Sequence, residues 1–305
     1  MRLAQPRLML TMSFLSPRGR CPLANGHHAP GLGLLPVELL LVGVLLVGLV
    51  IPAIAAAEVD PFERGRALAQ RVDDRPDGND AAIRGTMVLS ESGREPRVRK
   101  LFSFRREGAG GDVASLIRFS APADIADTGV LTIDHADGST DQWIYLPALK
   151  RDRRIPSARR GGRFVGSDLF YEDLQDREVD QDRHRWLREE RLEGVETEVV
   201  ESVPVNPDSS IYGRRVSWIH PQTLIPMRVD FYRPGEQAPF KRLRVYKVER
   251  IQGYWTVTDS VMKDLESAHQ TRMVNEETVY NRNLPERLFT NRALQDPSID
   301  RQFRP

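Results

Sequence analysis

The sequence predicts a mainly β (α+β) protein in which a single curled antiparallel sheet forms an unclosed barrel, with short helices covering its concave face. From residue 81 onward, apolar and polar residues alternate with a period of two, and turn-forming clusters separate these runs. Helices and strands do not alternate along the sequence, so a parallel sheet is not predicted. A sheet of about ten or eleven strands has to curl or close, because a flat open sheet exposes edges that pair with other chains.

The predicted strands follow from this alternation and from the turns between them. Asp137-Gly138 predicts a hairpin that joins strands over residues 129–135 and 140–146. In the run from Ile225 to Phe231, apolar residues occupy every second position, which is typical of a strand with one dry face. The later strands are predicted over residues 212–219, 224–233, 241–251, 254–263 and 270–281.

Four short segments interrupt or flank the strands. Residues 61–72 have apolar residues spaced for one face of a helix, and residues 122–127 are long enough only for a turn. Residues 167–175 predict a short helix with Ser167 as its N-cap. A last helix is predicted over residues 285–294, where proline occupies a favourable first position.

Composition excludes several classes of function. The chain has 305 residues, 44 Lys and Arg against 43 Asp and Glu, a net charge of +1 and one Cys. It lacks the basic excess of a nucleic-acid binder and the thiols of a disulfide framework or a cysteine-rich zinc site. His135, His184, His220 and His269 lack the spacing of a zinc helix, and no nucleophile elbow or phosphate loop is present. We therefore expect no metal, no cofactor and no enzymatic activity.

The first residues predict export. Residues 39–57 are uncharged and strongly apolar, and they follow a leader that contains four arginines, which is typical of a secretory signal peptide. Two A-x-A patterns at residues 53–55 and 55–57 place the cleavage near residue 57. The alternative is an uncleaved membrane anchor, because the apolar run just reaches the length of a span. The predicted organisation is a signal peptide or anchor over residues 1–57 and one domain over residues 58–305.

Asp168, Glu172 and Asp173 form the most prominent acidic cluster. On a helix, Asp168 and Glu172 would share one face, and paired carboxylates can serve a carbohydrate-active enzyme or bind a hard cation. We favour ion pairing with the basic residues of 150–163 over either role. The apolar residues of the same segment favour a cover over the open mouth of the sheet.

Two stretches carry a resemblance to a known family. Residues 143–155, WIYLPALKRDRRI, and residues 164–174, FVGSDLFYEDL, resemble the signature of bacterial outer-membrane lipoprotein-sorting proteins. These proteins belong to the superfamily of the periplasmic lipoprotein carrier LolA and its outer-membrane receptor LolB. Residues 122–131 and the strand pair 212–219 and 224–231 also fit, and the resemblance extends over residues 81–281.

The resemblance implies an unclosed β-barrel whose helices cover an apolar cavity for acyl chains. It therefore implies an exported, non-enzymatic carrier in the periplasm that binds the acyl chains of a lipoprotein or a free lipid for transfer towards the outer membrane. An inner-membrane transporter and transient contact with a membrane are further expected partners. The alternative is a periplasmic sensor or scaffold that uses the same fold to bind a partner protein.

Strand parity and the apolar side of the predicted short helix supply the candidate site residues. We predict that the lid over the cavity consists of Leu169, Phe170, Tyr171 and Leu174. The predicted lipid-binding cavity is lined by Phe102, Phe104, Ile117, Phe119, Met227, Val229 and Phe231.

Overall fold

The computed structural model describes residues 59–108 and 110–305, so the predicted signal peptide or anchor lies outside the described residues. Thirteen strands form one antiparallel sheet, which confirms the predicted fold class. The strands are β1 Asp80–Ser90, β2 Arg97–Glu107, β3 Val113–Ala121, β4 Gly129–Asp134, β5 Thr140–Leu146, β6 Arg151–Arg154, β7 Asp182–Leu192, β8 Val195–Pro204, β9 Arg214–Ile219, β10 Pro226–Tyr232, β11 Lys241–Ile251, β12 Tyr254–Asp264 and β13 Gln270–Tyr280.

The order of the strands explains why the barrel stays open. From one edge to the other the order is β6-β5-β4-β3-β2-β1-β13-β12-β11-β10-β9-β8-β7. Strands that follow each other in the chain are therefore neighbours, with one exception. β6 and β7 lie at opposite edges, and residues 155–181 connect them. We call this connection the cover segment.

The sheet is curled around the cover segment. Ile117 on β3 and Leu243 on β11 line one hollow of about 120 Å3 together with Phe164 and Leu169 of the cover segment. Five strand spacings would separate β3 from β11 in a flat sheet, which is about 24 Å. That distance exceeds the width of such a hollow, so the face that carries these side chains is concave. We call it the inner face.

β6, β7 and β8 are strands that the sequence patterns did not predict. β6 reads RDRR and β7 reads DRHRWLREERL, so neither shows an apolar alternation. Both are edge strands, where charged side chains protect an exposed edge against pairing with other chains. The turn between β7 and β8 has positive φ at Glu193 (50°) and Gly194 (90°), as a two-residue hairpin of the primed type requires.

The predicted first helix is confirmed as α1, Pro61–Asp73. Asp60 caps it by accepting a hydrogen bond from the Phe62 amide at 3.1 Å. Leu68 and Val72 pack against Val200 and Ile219, so α1 covers the inner face at β8 and β9. A Cβ at Gly65 would lie 2.6 Å from the backbone nitrogen of Trp186, and this close approach to β7 therefore requires glycine.

The C-terminal segment covers the opposite, outer face. The predicted helix over 285–294 is wrong in its bounds. A 3-10 turn occupies Glu286–Leu288, and two short helices follow, α2 Asn291–Gln295 and α3 Ser298–Arg301. Apolar side chains of this segment pack against strands β1 to β5 in one cluster, which contains Leu284, Leu288, Phe289 and Leu294. Within the described residues, no helix combines the length and hydropathy that a membrane span needs.

A buried arginine attaches this segment to the sheet. Arg118 on β3 has no exposed surface, and its Nε lies 2.9 Å from a carboxylate oxygen of Asp300. It also donates to the carbonyls of Asp127, Ala293 and Leu294 at 2.7–2.9 Å. The C-terminal segment therefore depends on one guanidinium that satisfies a buried carboxylate and three backbone oxygens.

Arg118→Met is expected to lower the free energy of unfolding by about 3–5 kcal/mol, because it leaves the Asp300 carboxylate buried without this partner. Urea unfolding followed by circular dichroism measures the change. Arg84→Met is the matched control, since Arg84 pairs with Glu277 at 2.7 Å with both side chains more than 40% exposed, and it should cost at most about 1 kcal/mol. Equal losses in the two variants would contradict the anchoring role of Arg118.

Candidate functional site

Two hollows lie between the inner face and the segments that cover it. The first has a volume of about 120 Å3, and its walls are mainly apolar; they include Leu101, Ile117, Leu174, Met262 and Met273. The second has a volume of about 240 Å3 and lies beside α1; its walls include Val72, His184, Val200, Arg215, Val229 and Phe231. Both hollows are lined by Asp173, Leu243 and Met262, so they meet at these three side chains.

The predicted cavity residues divide between several places. Ile117 lines the first hollow, whereas Val229 and Phe231 line the second. Phe119 is fully buried in the same apolar cluster, with its ring centroid 5.6 Å from that of Phe164. Met227 packs in a separate cluster on β10, β11 and β12. A bulge beside Met227 shifts the register of β10 against β9, so strict alternation along this strand does not hold.

Phe102 and Phe104 do not line the hollows, and this part of the site prediction is wrong. Both belong to the outer-face cluster under the C-terminal segment. The inner face of β2 instead carries Leu101, Ser103 and Arg105, which line the first hollow. Because the C-terminal segment buries the outer face, β2 carries its two phenylalanines on that side, and alternation alone does not reveal which face is inner.

All four predicted lid residues belong to the cover segment. Each of them lines the first hollow or packs against a side chain that lines one of the two hollows. Leu169 and Leu174 line the first hollow. The Phe170 ring is stacked at 6.3 Å from Tyr212, and Tyr171 packs edge-on against a buried phenylalanine of the same segment. The predicted helix over 167–175 is wrong, because the residues before Tyr171 are not helical and only Tyr171–Leu174 form a 3-10 turn. The Ser167 hydroxyl bonds to the Phe164 carbonyl at 2.7 Å instead of capping a helix.

Asp168 attaches the cover segment to β13 and to the turn before it. It is 1% exposed, and one carboxylate oxygen lies 2.6 Å from Nδ1 of His269 and 2.7 Å from the hydroxyl of Thr271. The other accepts a hydrogen bond from Arg163 at 2.7 Å. Pairing with the basic residues of 150–163 is thus confirmed for one of them, and the remaining partners come from β13 and its turn.

Glu172 attaches the segment to the loop before β9. Its carboxylate accepts hydrogen bonds from the backbone amide of Ile211 at 2.8 Å and from the hydroxyl of Ser210. Glu172 lines the second hollow, whereas Asp168 lines neither hollow. The two carboxylates therefore do not face a common space for substrate, and the geometry does not favour a carbohydrate-active pair.

Asp173 forms the third attachment, at the junction of the two hollows. One oxygen accepts from the Tyr212 hydroxyl at 2.6 Å, and the other accepts from Nζ of Lys241 and from the Phe170 amide, each at 2.6 Å. Lys241 is 2% exposed and also donates to the Tyr212 hydroxyl. Burial lowers the pKa of Lys241, while Asp173 opposes that shift; burial raises the pKa of Tyr212, and Asp173 adds to the increase.

The sequence analysis did not identify Lys241, Tyr212 or His269 as parts of this arrangement. One signal was available for Lys241. It has the parity of Leu243 and Val245 on β11, so it is a charged residue at an inward position of an otherwise apolar face. No comparable local pattern distinguishes Tyr212 or His269, because their partners lie in a segment distant in sequence.

A polar cluster lies at the end of the cover segment. Asp176 is 6% exposed, and neither of its carboxylate oxygens has a hydrogen-bond partner. Burial raises the pKa of Asp176 well above its ordinary value, with Arg105 opposing the shift and Asp134 adding to it. Burial also raises the pKa of Asp77 to about 6, although Asp77 pairs with Arg105 at 3.2 Å. Among residues 59–108 and 110–305, no three His, Cys, Asp or Glu side chains are grouped as metal ligands.

Taken together, the open sheet, the inward-folded connection and the apolar hollows beneath it define the class of LolA-like unclosed barrels. Two solved structures that this chain resembles have a TM-score of 0.73 and 29% identity over 77% of this chain. One is an outer-membrane lipoprotein-sorting protein domain from Vibrio parahaemolyticus, covered over 100% of its length. The other is a DUF1329 family protein from Desulfovibrio piger ATCC 29098, covered over 99%.

A third structure extends the comparison to a more distant protein. A LolA superfamily protein from Nitrosomonas europaea has a TM-score of 0.58 and 16% identity, with 75% of this chain and 95% of that chain covered, and it shows the shared fold alone. A family model with the description of an uncharacterized protein matches residues 111–296. That match includes more than half of the chain, which therefore belongs to this family. No curated protein matches the chain.

These comparisons confirm the resemblance to outer-membrane lipoprotein-sorting proteins that the sequence indicated, and the fold is shared with a LolA superfamily protein. The signature stretch 164–174 corresponds to the part of the cover segment that carries all three anchoring carboxylates. The stretch that carries the sequence resemblance therefore also attaches the cover segment to the sheet.

Asp173→Asn is expected to loosen the cover segment without unfolding the sheet, because it removes the counter-charge of Lys241 at a single attachment. Hydrogen exchange should become at least tenfold faster for the amides of residues 162–176, which is about 1.4 kcal/mol of local stability. Asp208→Asn is the control, since Asp208 is exposed and its side chain makes no hydrogen bond to the cover segment. Unchanged exchange in the Asp173 variant would contradict the anchoring role.

Asp176→Asn is expected to stabilise the protein at pH 8 and to have a smaller effect near pH 4. A raised pKa means that the folded state favours the protonated carboxyl, so wild-type stability is lost as the pH rises through the folded pKa. Removing the charge should add about 1–3 kcal/mol at pH 8. Urea unfolding at pH 4, 6 and 8 tests this, and an effect independent of pH would show that the charge of Asp176 is not its cause.

Proposed function

We propose that the protein is a non-enzymatic periplasmic carrier that binds the acyl chains of a lipoprotein or lipid on its inner face and releases them towards the outer membrane. The observation that carries this proposal is the pair of hollows that meet beneath the cover segment, which hydrogen bonds and one buried ion pair attach to the inner face. The family membership and the similarity to a lipoprotein-sorting domain with 29% identity also support a carrier function.

In our proposal the small hollows belong to a closed state of the carrier. Ligand pockets usually have about 300–1,000 Å3, whereas the hollows have volumes of about 120 and 240 Å3. A cavity of about 150 Å3 holds a molecule the size of benzene, so a long acyl chain needs more room. In our proposal the cover segment moves aside, and the apolar surface under Leu169, Phe170 and Leu174 becomes the wall of a larger cavity.

The energetics of acyl transfer favour a carrier with a movable cover. Each buried methylene is worth about 0.8 kcal/mol, so even one chain carries a large penalty in water. A carrier has to remove that penalty and yet release its cargo, and it can do so when closure of its own cover competes with the ligand. The apolar side chains of the cover segment supply that competition.

The predicted export segment supports a periplasmic location, and residues 1–57 are proposed to be its signal peptide or, alternatively, an anchor. Handover from an inner-membrane transporter and brief contact with a membrane are parts of the same proposal. The absence of a shared substrate space between Asp168 and Glu172 supports a carrier over a hydrolase.

The test is binding of a fluorescent acyl probe to delipidated protein. Wild type should bind saturably, and Ile117→Trp should weaken binding at least tenfold, because the larger ring fills the first hollow. Phe102→Trp adds an indole on the outer face and should leave binding within twofold of wild type. Circular dichroism verifies folding, since overpacking costs about 1–3 kcal/mol.

Absence of uptake by folded wild-type protein would contradict the proposal. Mass spectrometry of organic extracts from the natively purified protein separates it from the sensor or scaffold alternative. A carrier should yield a stoichiometric lipid, whereas a scaffold should yield little lipid and a bound protein partner.

A further inference from the structure

Lys241 is a buried cation that lines neither hollow but pairs with Asp173, which lies where the two hollows meet. Its Nζ lies 3.8 Å from the ring centroid of Phe170 and 4.8 Å from those of Tyr212 and Phe231. Three aromatic rings therefore surround the ammonium, and two of them, Tyr212 and Phe231, also line the second hollow. A cation over aromatic faces is attracted to the rings, but burial still requires an anion or strong acceptors.

The anion is supplied by the cover segment. Asp173 forms an ion pair with Lys241 at 2.6 Å, and within residues 59–108 and 110–305 no second carboxylate lies within ion-pair distance of it. Glu172 and Asp168, which also favour the charged form of Lys241, belong to the same segment. These three carboxylates therefore move away from the ammonium if the cover segment leaves the inner face.

The Asp173 carboxylate lies where the two hollows meet. Asp173 lines both of them, and its oxygens accept hydrogen bonds from Lys241 and from the Tyr212 hydroxyl. Withdrawal of the cover segment would leave these two donors at the wall of the enlarged cavity without their acceptor. A buried ammonium in that state is unfavourable, so a replacement anion is strongly preferred there.

We propose that Lys241 binds the anionic head group of an acyl-chain ligand, with the carboxylate or phosphate of the ligand taking the place of the Asp173 carboxylate. This inference rests on the proposed carrier function and specifies its ligand class as an anionic amphiphile. Tyr212 donates a second hydrogen bond to the head group, and the rings of Tyr212 and Phe231 contact the first carbons of the chain. The ligand and the cover segment thus compete for one cation.

The experiment compares ligands that share a ten-carbon chain and differ in their head group. Displacement of a bound fluorescent acyl probe at pH 8 is measured for decanoate, decyl phosphate, decan-1-ol and decylamine. Decanoate or decyl phosphate should bind at least tenfold more tightly than decan-1-ol, which is about 1.4 kcal/mol, and decylamine should bind most weakly. The relative affinities of decanoate and decyl phosphate distinguish a fatty-acid head group from a phospholipid one.

Three variants test the role of Lys241. Asp173→Asn removes the competing carboxylate, so it should increase the affinity for decanoate. The fold-increase for decanoate should be at least ten times the fold-increase for decan-1-ol. Lys241→Met should reduce decanoate to the affinity of decan-1-ol, and Lys241→Arg should retain the preference for the anion. If Lys241→Met does not fold, the double variant Lys241→Met with Asp173→Asn replaces it, because it removes both charges. The ligand series on wild type tests the anion preference in either case.

The outcomes separate this inference from the proposed function. Equal affinities of the anionic ligands and decan-1-ol for wild type would overturn the inference and leave the carrier function standing. An anion preference that persists in the folded double variant would also overturn it. Failure of all four ligands to displace or replace an acyl probe, together with no uptake of the probe itself, would overturn the carrier function as well.

Discussion

The attachment of the cover segment to the inner face is the constraint on which the rest of the structure depends. β6 and β7 follow each other in the chain but lie at opposite edges of the sheet, so residues 155–181 have to cross between them. Asp168, Glu172 and Asp173 hold that crossing on the concave side. The barrel stays open for this reason, and the hollows lie where the crossing and the strands do not fill the space between them.

The chemistry of these attachments suits a cover that has to move. Buried ion pairs contribute little net stability, because the desolvation of both charges offsets their attraction, but they define a position sharply. Their loss is tolerable only if another group replaces the missing partner. The outer face differs, since Arg118 holds the C-terminal segment through one carboxylate and two carbonyls of that segment, where neither hollow reaches. In the proposed carrier, the same protein thus has a fixed cover on one face and an exchangeable one on the other.

Sequence patterns predicted the strands where one face is apolar and the other is wet, as in β10 to β13, and the hairpin at Asp137-Gly138. They did not identify β6 and β7, because these edge strands carry charge on both faces, nor did they identify β8, which is an interior strand between β7 and β9. They also misplaced Phe102 and Phe104, since both faces of β2 are buried. For the site, the family signature lies within the cover segment, but it did not identify Lys241 as the partner of Asp173, because that pair joins β11 to a segment far away in sequence.

The sequence by itself determined the antiparallel fold class, the family and the apolar composition of the cover segment, because alternation and local motifs are properties of neighbouring residues. Only the tertiary structure decided which face of each strand is inner and which charges meet beneath the cover. Those properties depend on the curvature of the whole sheet and on the path of one long connection. Burial then gives the Lys241 and Asp173 pair an importance that neither residue has in the extended chain.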